Sequence, residues 1–413
     1  MNPYAVIIVA ALGLEFGLDL LADVLNLRAL SPTLPPEFRH VYDPERYRRS
    51  QAYTRARTRF GIVTTAVNLA LVLAFWLGGG FDRLDQALRA LGLGSIATGL
   101  LFVGALGLAR IAVNLPFRWW STFVVEERFG FNRTTPATFW ADLGKGLILA
   151  ALLGGPLLVA ILWLLERAGS RAWLWCWLAS AMFVVGVEFV APTWIMPLFN
   201  RFTPLADGTL RDALLAYARA VGFPLDGVFV IDGSRRSTKA NAFFTGFGRR
   251  KRVALFDTLL ATLDPGELVA VVAHEVGHYK RGHVVKGTVL AIAQMGMAFF
   301  LLSFFLESRG LFAAFFMQAR SVYAGLVFFT LLSAPLELAL SFAVHAFSRR
   351  NEYEADAFAA ETTGAAERLA SGLMRLSADT LANLTPHPLY VALHYSHPPV
   401  LARIRALRAG GGG

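Results

Sequence analysis

Seven stretches of about twenty mostly apolar residues recur along the chain and limit the folds it can adopt. The hydrocarbon core of a bilayer is about 30 Å thick, so a spanning helix needs about 20 such residues. Only 16% of the residues are charged, whereas soluble proteins average about 25%. The pattern predicts an all-α polytopic membrane protein with seven transmembrane helices. The stretches lie near residues 5–24, 61–80, 95–115, 146–165, 172–195, 285–306 and 321–346.

The distribution of basic residues predicts how these helices are oriented. Eight arginines separate the first two stretches, and no Lys or Arg precedes the first. Because cytoplasmic loops are rich in Lys and Arg, we expect this loop, segment 196–284 and the C-terminus on the cytoplasmic side. The same bias accounts for the net charge of +10. We therefore expect a lipid bilayer, and no nucleic acid, as partner.

Several ionisable residues interrupt the apolar stretches. Charges at membrane depth usually face a bundle interior or a water-filled cavity. The alternative is that those near helix ends, Arg110 and Glu188, extend to the membrane surface. Both interpretations stay open for the full set, which is Glu15, Asp19, Arg110, Glu188 and Glu337.

The polar segments between the apolar stretches suggest a division of the chain into five parts. We expect helices 1–5 in residues 1–195 and helices 6 and 7 in residues 285–346. Two cytoplasmic segments would form the catalytic part, and a flexible glycine tail would follow. The two cytoplasmic segments are 196–284 and 347–409, and the tail is 410–413.

One short motif carries recognisable chemistry: VVAHEVGHYKRGH, residues 271–283. Residues four apart lie on one face of a helix, so His274 and His278 can bind one metal ion while Glu275 reaches a metal-bound water. Upstream, Asp264 as N-cap, Pro265 and Glu267 predict the start of this helix. On a regular helix His283 would point away from both histidines, which makes it a poor ligand.

A catalytic zinc usually has three protein ligands and a water. The only cysteine, Cys176, lies in an apolar stretch. The better source is SRRNEYEADAFAAE, residues 348–361, which we expect to continue the seventh helix. Glu352 and Asp356 share a face there, and an Asp one turn from a ligand suits the orientation of a histidine. Spacing alone does not choose between Glu352 and Glu354 as the ligand.

Several segments in order resemble the CAAX prenyl protease 1 family of integral-membrane zinc metallopeptidases. They are EERFGFNRTT at 126–135, PLFNRFTPLADGTL at 197–210, DGSRRSTKANAFFTGFGRRKRVALFDTLL at 232–260, the His-Glu-x-x-His segment, SRRNEYEADAFA and HYSHPPVLARIRAL at 394–407.

The resemblance implies a fold and a set of residue roles. It implies seven helices enclosing a chamber, with a zincin-like catalytic domain that bears a small β-hairpin or sheet. It also implies one zinc ion per chain, a peptide or protein substrate, prenylated or not, and removal of the last three residues of a CAAX protein. The implied residues are His274, His278 and Glu352 as zinc ligands, Asp356 as support, Arg403 as its partner, and His397 near the substrate carbonyl.

Two further features concern substrate and helix geometry. The run from Asn241 to Phe247, a basic turn at 248–251 and the run from Arg252 to Phe256 predict a hairpin. A substrate peptide could add to its edge at Asn241 and Ala242, as the resemblance also implies, or the hairpin could be purely structural. Ser396 could also cap a helix with Pro398 and Pro399 in its first turn.

Three functions remain to be compared. The first is a membrane zinc endopeptidase with Glu275 as base. The second is a seven-helix transporter or channel with a regulatory metal site, which leaves Glu275 without a role. The third is a soluble nucleic-acid-binding protein, suggested only by the basic charge.

Overall fold

The structure, a computed structural model, describes residues 2–245 and 251–410. It is mostly helical in this part of the chain. The α-helices are α1 Pro3–Arg28, α2 Pro44–Leu77, α3 Gly80–Arg89, α4 Ser95–Trp120, α5 Pro136–Leu149, α6 Gly155–Arg167, α7 Ala172–Val190, α8 Thr209–Ala220, α9 Asp257–Thr262, α10 Pro265–Lys280, α11 His283–Phe305, α12 Arg309–Ala314, α13 Val322–Leu332, α14 Ala334–Thr363, α15 Ala366–Asp379, α16 Pro388–His394 and α17 Val400–Gly410.

Six helices among the described residues are long and apolar enough to cross a membrane. Three of them include π-helical turns that continue α4, join α5 to α6, or extend α7. The predicted membrane-spanning architecture is confirmed. The six spans are Pro3–Arg28, Pro44–Leu77, Ser95–Glu126, Pro136–Arg167, Gly169–Leu198 and His283–Phe305.

The seventh predicted stretch is bent rather than straight. It consists of α13 and α14, which meet at 54°, and the pair makes a seventh span if it is counted as one. The break falls at Ser333, and Pro335 occupies the first turn of α14. Proline lacks the N–H that would continue the helical hydrogen bonds, which accounts for the bend. Beyond it, α14 runs on without interruption to Thr363, as the sequence predicted for residues 348–361.

A four-stranded mixed sheet accompanies the helices, in the order β1-β2-β4-β3. β1 pairs antiparallel with β2, β2 parallel with β4, and β3 antiparallel with β4. The predicted hairpin is thus present as β3 and β4, and β3 forms an edge. The strands are β1 Phe202–Pro204, β2 Leu225–Ile231, β3 Ala242–Thr245 and β4 Lys251–Phe256. The predicted turn falls largely on residues 246–250, outside the described residues.

The charges at membrane depth divide between the two interpretations. Asp19 lines a cavity of about 630 Å³ between α1, α2 and the segments around Leu381 and α16. Glu337 lines a second cavity, of about 400 Å³, between α11 and α14. In contrast, Glu188 and Arg110 are exposed on the helix surface, and Glu188 accepts a hydrogen bond from Thr288. The cavity interpretation therefore holds for Asp19 and Glu337.

Helix α10 lies in the largest hydrophobic core. Val271, Val272 and Val276 pack there with side chains from the sheet, α8, α14, α15 and α17. Tyr42, just before α2, and Tyr47, near the start of α2, belong to the same core. The core thus joins α10 to the polar end of α2.

Candidate metal centre

The helix of the His-Glu-x-x-His motif begins where the sequence predicted. The Asp264 side chain accepts from the Glu267 N–H, and the Glu267 side chain accepts from the Asp264 N–H. Pro265 follows as the first helical residue. This capping box satisfies two of the amide groups that a helix start leaves without partners. It fixes the residue at which α10 begins.

Helices α10 and α14 approach closely at Gly277, between the two histidines. A Cβ at this position would lie 3.0 Å from the Ala355 carbonyl oxygen and 3.1 Å from its Cα. Ala355 and Ala359 are fully buried at this contact. The missing side chain therefore lets α14 come near enough for its carboxylates to face the histidines. No role for Gly277 was predicted from the sequence, although a glycine inside a helix often marks such an approach.

His274, His278 and Glu352 form the one group of possible metal ligands in the described residues. One donor atom from each lies within 4.8 Å of the others. The two Nε2 atoms are 3.2 Å apart, and Glu352 oxygens lie 3.5 Å and 3.3 Å from His274 and His278. Tertiary structure thus brings Glu352 to this position and leaves Glu354 outside the group.

On one side of this group, a buried charge network holds His274. Asp356 lies 2.9 Å from His274 Nδ1. Arg403 donates to both Asp356 oxygens, at 2.8 Å and 2.6 Å, and lies 3.3 Å from Glu352. Because Asp356 accepts a hydrogen bond from the Nδ1–H of His274, it orients the ring with Nε2 toward Glu352 and His278. Asp356 and Arg403 are therefore brought together as the resemblance implied.

On the other side, His278 contacts His283. Their Nδ1 atoms are 3.0 Å apart, and His283 Nε2 lies 3.3 Å from Glu354. The regular-helix geometry used to set His283 aside was wrong, because α10 ends at Lys280 and Gly282 adopts a φ of +68° before α11 begins. This left-handed residue turns the chain back. His283 is not in the ligand group, but it supports a ligand, and Gly282 was the signal in the sequence.

The donor set fits a divalent cation. One buried oxygen of Glu352, Oε2, has no hydrogen-bond partner in the described part of the chain. Although burial opposes it, the neighbouring carboxylates of Asp356 and Glu352 raise the pKa of His274 to about 9. The carboxylates thus favour positive charge between the rings, whether from a proton or a metal ion. Two imidazoles and a carboxylate are a ligand set typical of catalytic zinc.

Glu275 follows His274 on α10 and is half-buried. Burial raises the pKa of its carboxyl, an effect opposed by the nearby histidines. A carboxylate with a raised pKa is a better proton acceptor than an exposed one, as a general base requires.

His397 lies on the exposed side of the ligand group. Its Nε2 is 3.3 Å from Glu352 Oε1, while 64% of the side chain stays exposed. Arg349 of α14 donates to the carbonyl oxygens of Val391 and Tyr395, at 3.2 Å and 2.8 Å. This contact fixes the chain that leads to His397. This role of Arg349 was not predicted from the sequence.

The predicted cap at Ser396 is wrong. The last helix begins at Val400, after both prolines. Ser396 Oγ instead lies 2.9 Å from His397 Nδ1. A residue that precedes proline is disfavoured in the helical conformation, so His397 and Pro398 stay outside the helix. Ser396 therefore orients the histidine directly rather than through a helix start.

The edge strand β3 packs against α10, the helix that carries the histidines. Ala242 is its first residue and pairs with Leu255. Asn241 is exposed just before the strand, where its carbonyl accepts from the Phe256 N–H. Since β4 occupies the other side of β3, its outer side is the one available to an added strand. The two predicted substrate-binding residues thus stand at the start of an edge near the ligand group.

Two family models match consecutive parts of the chain. Residues 23–201 match the model described as "CAAX prenyl protease N-terminal, five membrane helices". Residues 204–410 match the model for "Peptidase family M48". Together they extend over nearly the whole chain, and the boundary between them falls at β1.

Full-length relatives and a solved structure agree with these matches. The chain is 35% identical to CAAX prenyl protease 1 of Saccharomyces cerevisiae, over 98% of this chain and 95% of the relative. It is 30% identical to the Homo sapiens homologue, over 91% of this chain and 88% of the relative. The crystal structure of Ste24p from S. mikatae superposes with a TM-score of 0.94 at 33% identity, over 98% of this chain and 99% of that one.

Proposed function

Since the chain belongs to peptidase family M48, with the CAAX prenyl protease N-terminal region, and is a multi-pass membrane protease, we propose that it is a zinc metalloendopeptidase. His274, His278 and Glu352 hold the metal in this proposal, and Glu275 is the general base. The observation that carries it is the convergence of three donor atoms within 4.8 Å beside Glu275.

Membership of a protease family favours this function over the two alternatives. A transporter with a regulatory metal would need the ligands but not Glu275. A soluble nucleic-acid-binding protein would not need six apolar spanning helices. The peptidase explains both the ligand set and the carboxylate that ligates nothing.

Each residue then has a chemical task. A bound zinc ion would polarise the scissile carbonyl and lower the pKa of the attacking water. Glu275 takes the proton from that water and passes it to the leaving amine. His397 donates a hydrogen bond to the carbonyl oxygen as negative charge develops there.

The remaining residues position these groups. Asp356 and Arg403 fix the ring of His274, and the substrate backbone pairs with the outer side of β3 near Asn241 and Ala242. The catalytic part combines segments 196–284 and 347–409. We place it on the cytoplasmic side because of the arginine-rich segment before α2.

The names of the relatives suggest the substrate class. We propose that the chain removes the last three residues of prenylated CAAX proteins. The purified protein would be incubated with matched prenylated and unprenylated CAAX peptides, with and without a chelator. We expect zinc-dependent release of the tripeptide from the prenylated peptide alone. Cleavage of both peptides, or of unrelated ones, would reject the substrate class while keeping the metallopeptidase.

The mechanism needs a separate test. The variant Glu275→Gln keeps the size of the side chain but cannot accept a proton. We expect kcat to fall by about 10²–10⁴-fold, the usual contribution of a general base. Bound zinc, measured by elemental analysis, should stay at one equivalent. Retained cleavage in this variant would overturn the assignment of Glu275.

A further inference from the structure

One side of α2 changes from basic to apolar along its length. Arg55 and Arg59 are followed at intervals of four and seven residues by Val63, Ala70 and Leu77. At 100° per residue, these five positions lie within about 80° of one another. The side chains of Val63 and Leu77 are 54% and 59% exposed. Large apolar side chains this exposed on a membrane helix face lipid.

The other two sides of α2 are occupied. Phe60 and Asn68 contact α4, and Thr58 and Thr65 line the cavity of about 630 Å³. The side that contacts α4, the side that lines the cavity and the basic-to-apolar side are each about 120° apart around the helix. The side that begins with the arginines therefore faces neither α4 nor the cavity.

The contacts between α2 and α4 show where the apolar layer ends. The helices run antiparallel, since Asn68 hydrogen-bonds Asn114 and Phe60 lies 6.2 Å from Phe117, measured between ring centroids. Trp120, three residues further along α4, is 53% exposed. Tryptophan is enriched at membrane–water interfaces. The level of Phe60 is therefore close to this boundary.

The two arginines fall within the headgroup layer at this boundary. Arg59 directly precedes Phe60, and Arg55 lies about 6 Å further from the apolar layer. The headgroup region on each side of a bilayer is about 5–8 Å thick. Arg48, on the same side of the helix, lies about 16 Å below Arg59 and outside this layer.

Neither arginine has a partner among the residues that the structure describes. Both are exposed, and across residues 2–245 and 251–410 neither forms a hydrogen bond, an ion pair or a ring contact. Other arginines of this region are engaged, such as Arg46 with Asp379 and Arg49 with the Phe129 carbonyl. Two unpaired guanidinium groups on adjacent turns at headgroup depth suit the oxygens of a phosphodiester.

We propose that Arg55 and Arg59 bind the phosphate of an anionic glycerophospholipid. The lipid lies in the leaflet on the side of the ligand group, because Tyr47 of α2 packs in the same core as α10. Its acyl chains lie along Val63, Ala70 and Leu77. The site is independent of the protease mechanism and touches none of its residues.

The test compares two double variants of the full chain in detergent. Arg55→Gln/Arg59→Gln removes the proposed site. Arg39→Gln/Arg48→Gln removes the same charge from two other exposed positions: Arg48 lies about 16 Å below Arg59, and Arg39 follows Phe38, which packs in the α10 core. Phosphatidylglycerol and phosphatidylcholine would be titrated against each protein, with bound lipids counted by native mass spectrometry.

We expect phosphatidylglycerol to bind the unmodified protein more tightly than phosphatidylcholine. Arg55→Gln/Arg59→Gln should weaken this binding by about 30-fold, since each arginine near an anionic surface contributes about fivefold. The control should stay within about twofold. Equal binding of both lipids, an equal loss in both variants, or displacement of the lipid by equimolar inorganic phosphate would overturn the proposal.

Discussion

The two histidines of α10 are held by different kinds of partner. The buried side consists of His274, Asp356 and Arg403, and the latter two side chains are only 4% and 10% exposed. The open side consists of His278, His283 and Glu354, and the Glu354 side chain is 32% exposed. The buried side pairs full charges away from water, whereas the open side links an imidazole that is 18% exposed, His278, through the buried His283 ring to a partly exposed carboxylate. We therefore expect the buried side to control folding and the open side to adjust the metal and the substrate.

The variant Arg403→Met should have the largest effect on stability. It leaves the Asp356 and Glu352 carboxylates buried without their cation, and breaking a buried ion pair this way costs about 3–5 kcal/mol. Denaturant unfolding in detergent would measure it. The matched control is Arg408→Met on the same helix, whose partner Glu367 is 66% exposed. Loss of this surface pair should cost less than about 1 kcal/mol. Equal losses of stability in both variants would show that the buried charge network does not control folding.

A change at His397 should affect catalysis and leave the fold intact. The variant His397→Ala removes a donor from the exposed side of the ligand group, and losing one such donor typically costs about 10²–10³-fold in kcat. Bound zinc and the unfolding midpoint should stay unchanged. His394→Ala, three residues earlier, serves as the control. A rise in KM at constant kcat would show that His397 binds substrate rather than the transition state.

The open side should adjust metal affinity. The variant His283→Ala removes the ring that contacts His278, and losing such a support typically weakens metal binding by about 10–100-fold. Competition with a chromogenic chelator would measure the zinc affinity directly. The exposed His40 provides a control, His40→Ala. Unchanged affinity in His283→Ala would mean that the two rings only pack together.

The start of α10 should affect stability and not the metal. In Asp264→Ala the helix loses its cap, which costs about 1 kcal/mol. Hydrogen bonding to the Glu267 backbone lowers the pKa of Asp264, so the carboxylate stabilises the fold above its unfolded pKa. That contribution is lost as the pH falls through the lowered folded pKa. The variant should therefore show a smaller loss of stability on acidification. A change in zinc affinity would show that the cap also sets the histidine positions.

Much of the site could be predicted because its signals are local. The capping box and the spacing of His274 and His278 depend on a single helix, whose geometry is the same in every protein. The choice of Glu352 over Glu354 is different. Both are acidic residues on α14, and their spacing makes them equally good candidates for the metal ligand. Only the resemblance favours Glu352. Gly277 decides how closely α14 approaches, and that contact selects the carboxylate that faces the histidines.

Errors arose where the chain departs from regular geometry. The prediction for His283 assumed that α10 continues past Lys280, whereas Gly282 turns the chain back. The predicted cap at Ser396 assumed a helix through two prolines. The apolar pattern predicts one helix for the seventh stretch, but the chain bends there at Pro335. In each case glycine or proline overrides periodicity, because their backbones allow or exclude conformations that other residues do not.

By itself, the amino-acid sequence determined the membrane-spanning architecture, the helix that carries the motif, and the two histidines on it that are candidate metal ligands. These follow from the apolar content and from contacts between residues a few positions apart. Only the tertiary structure decided which partners surround those histidines, since Arg403 and His274 are 129 residues apart. It also decided that β3 is an edge near the ligands. Such contacts depend on how closely packed helices and strands approach one another, which no local pattern specifies.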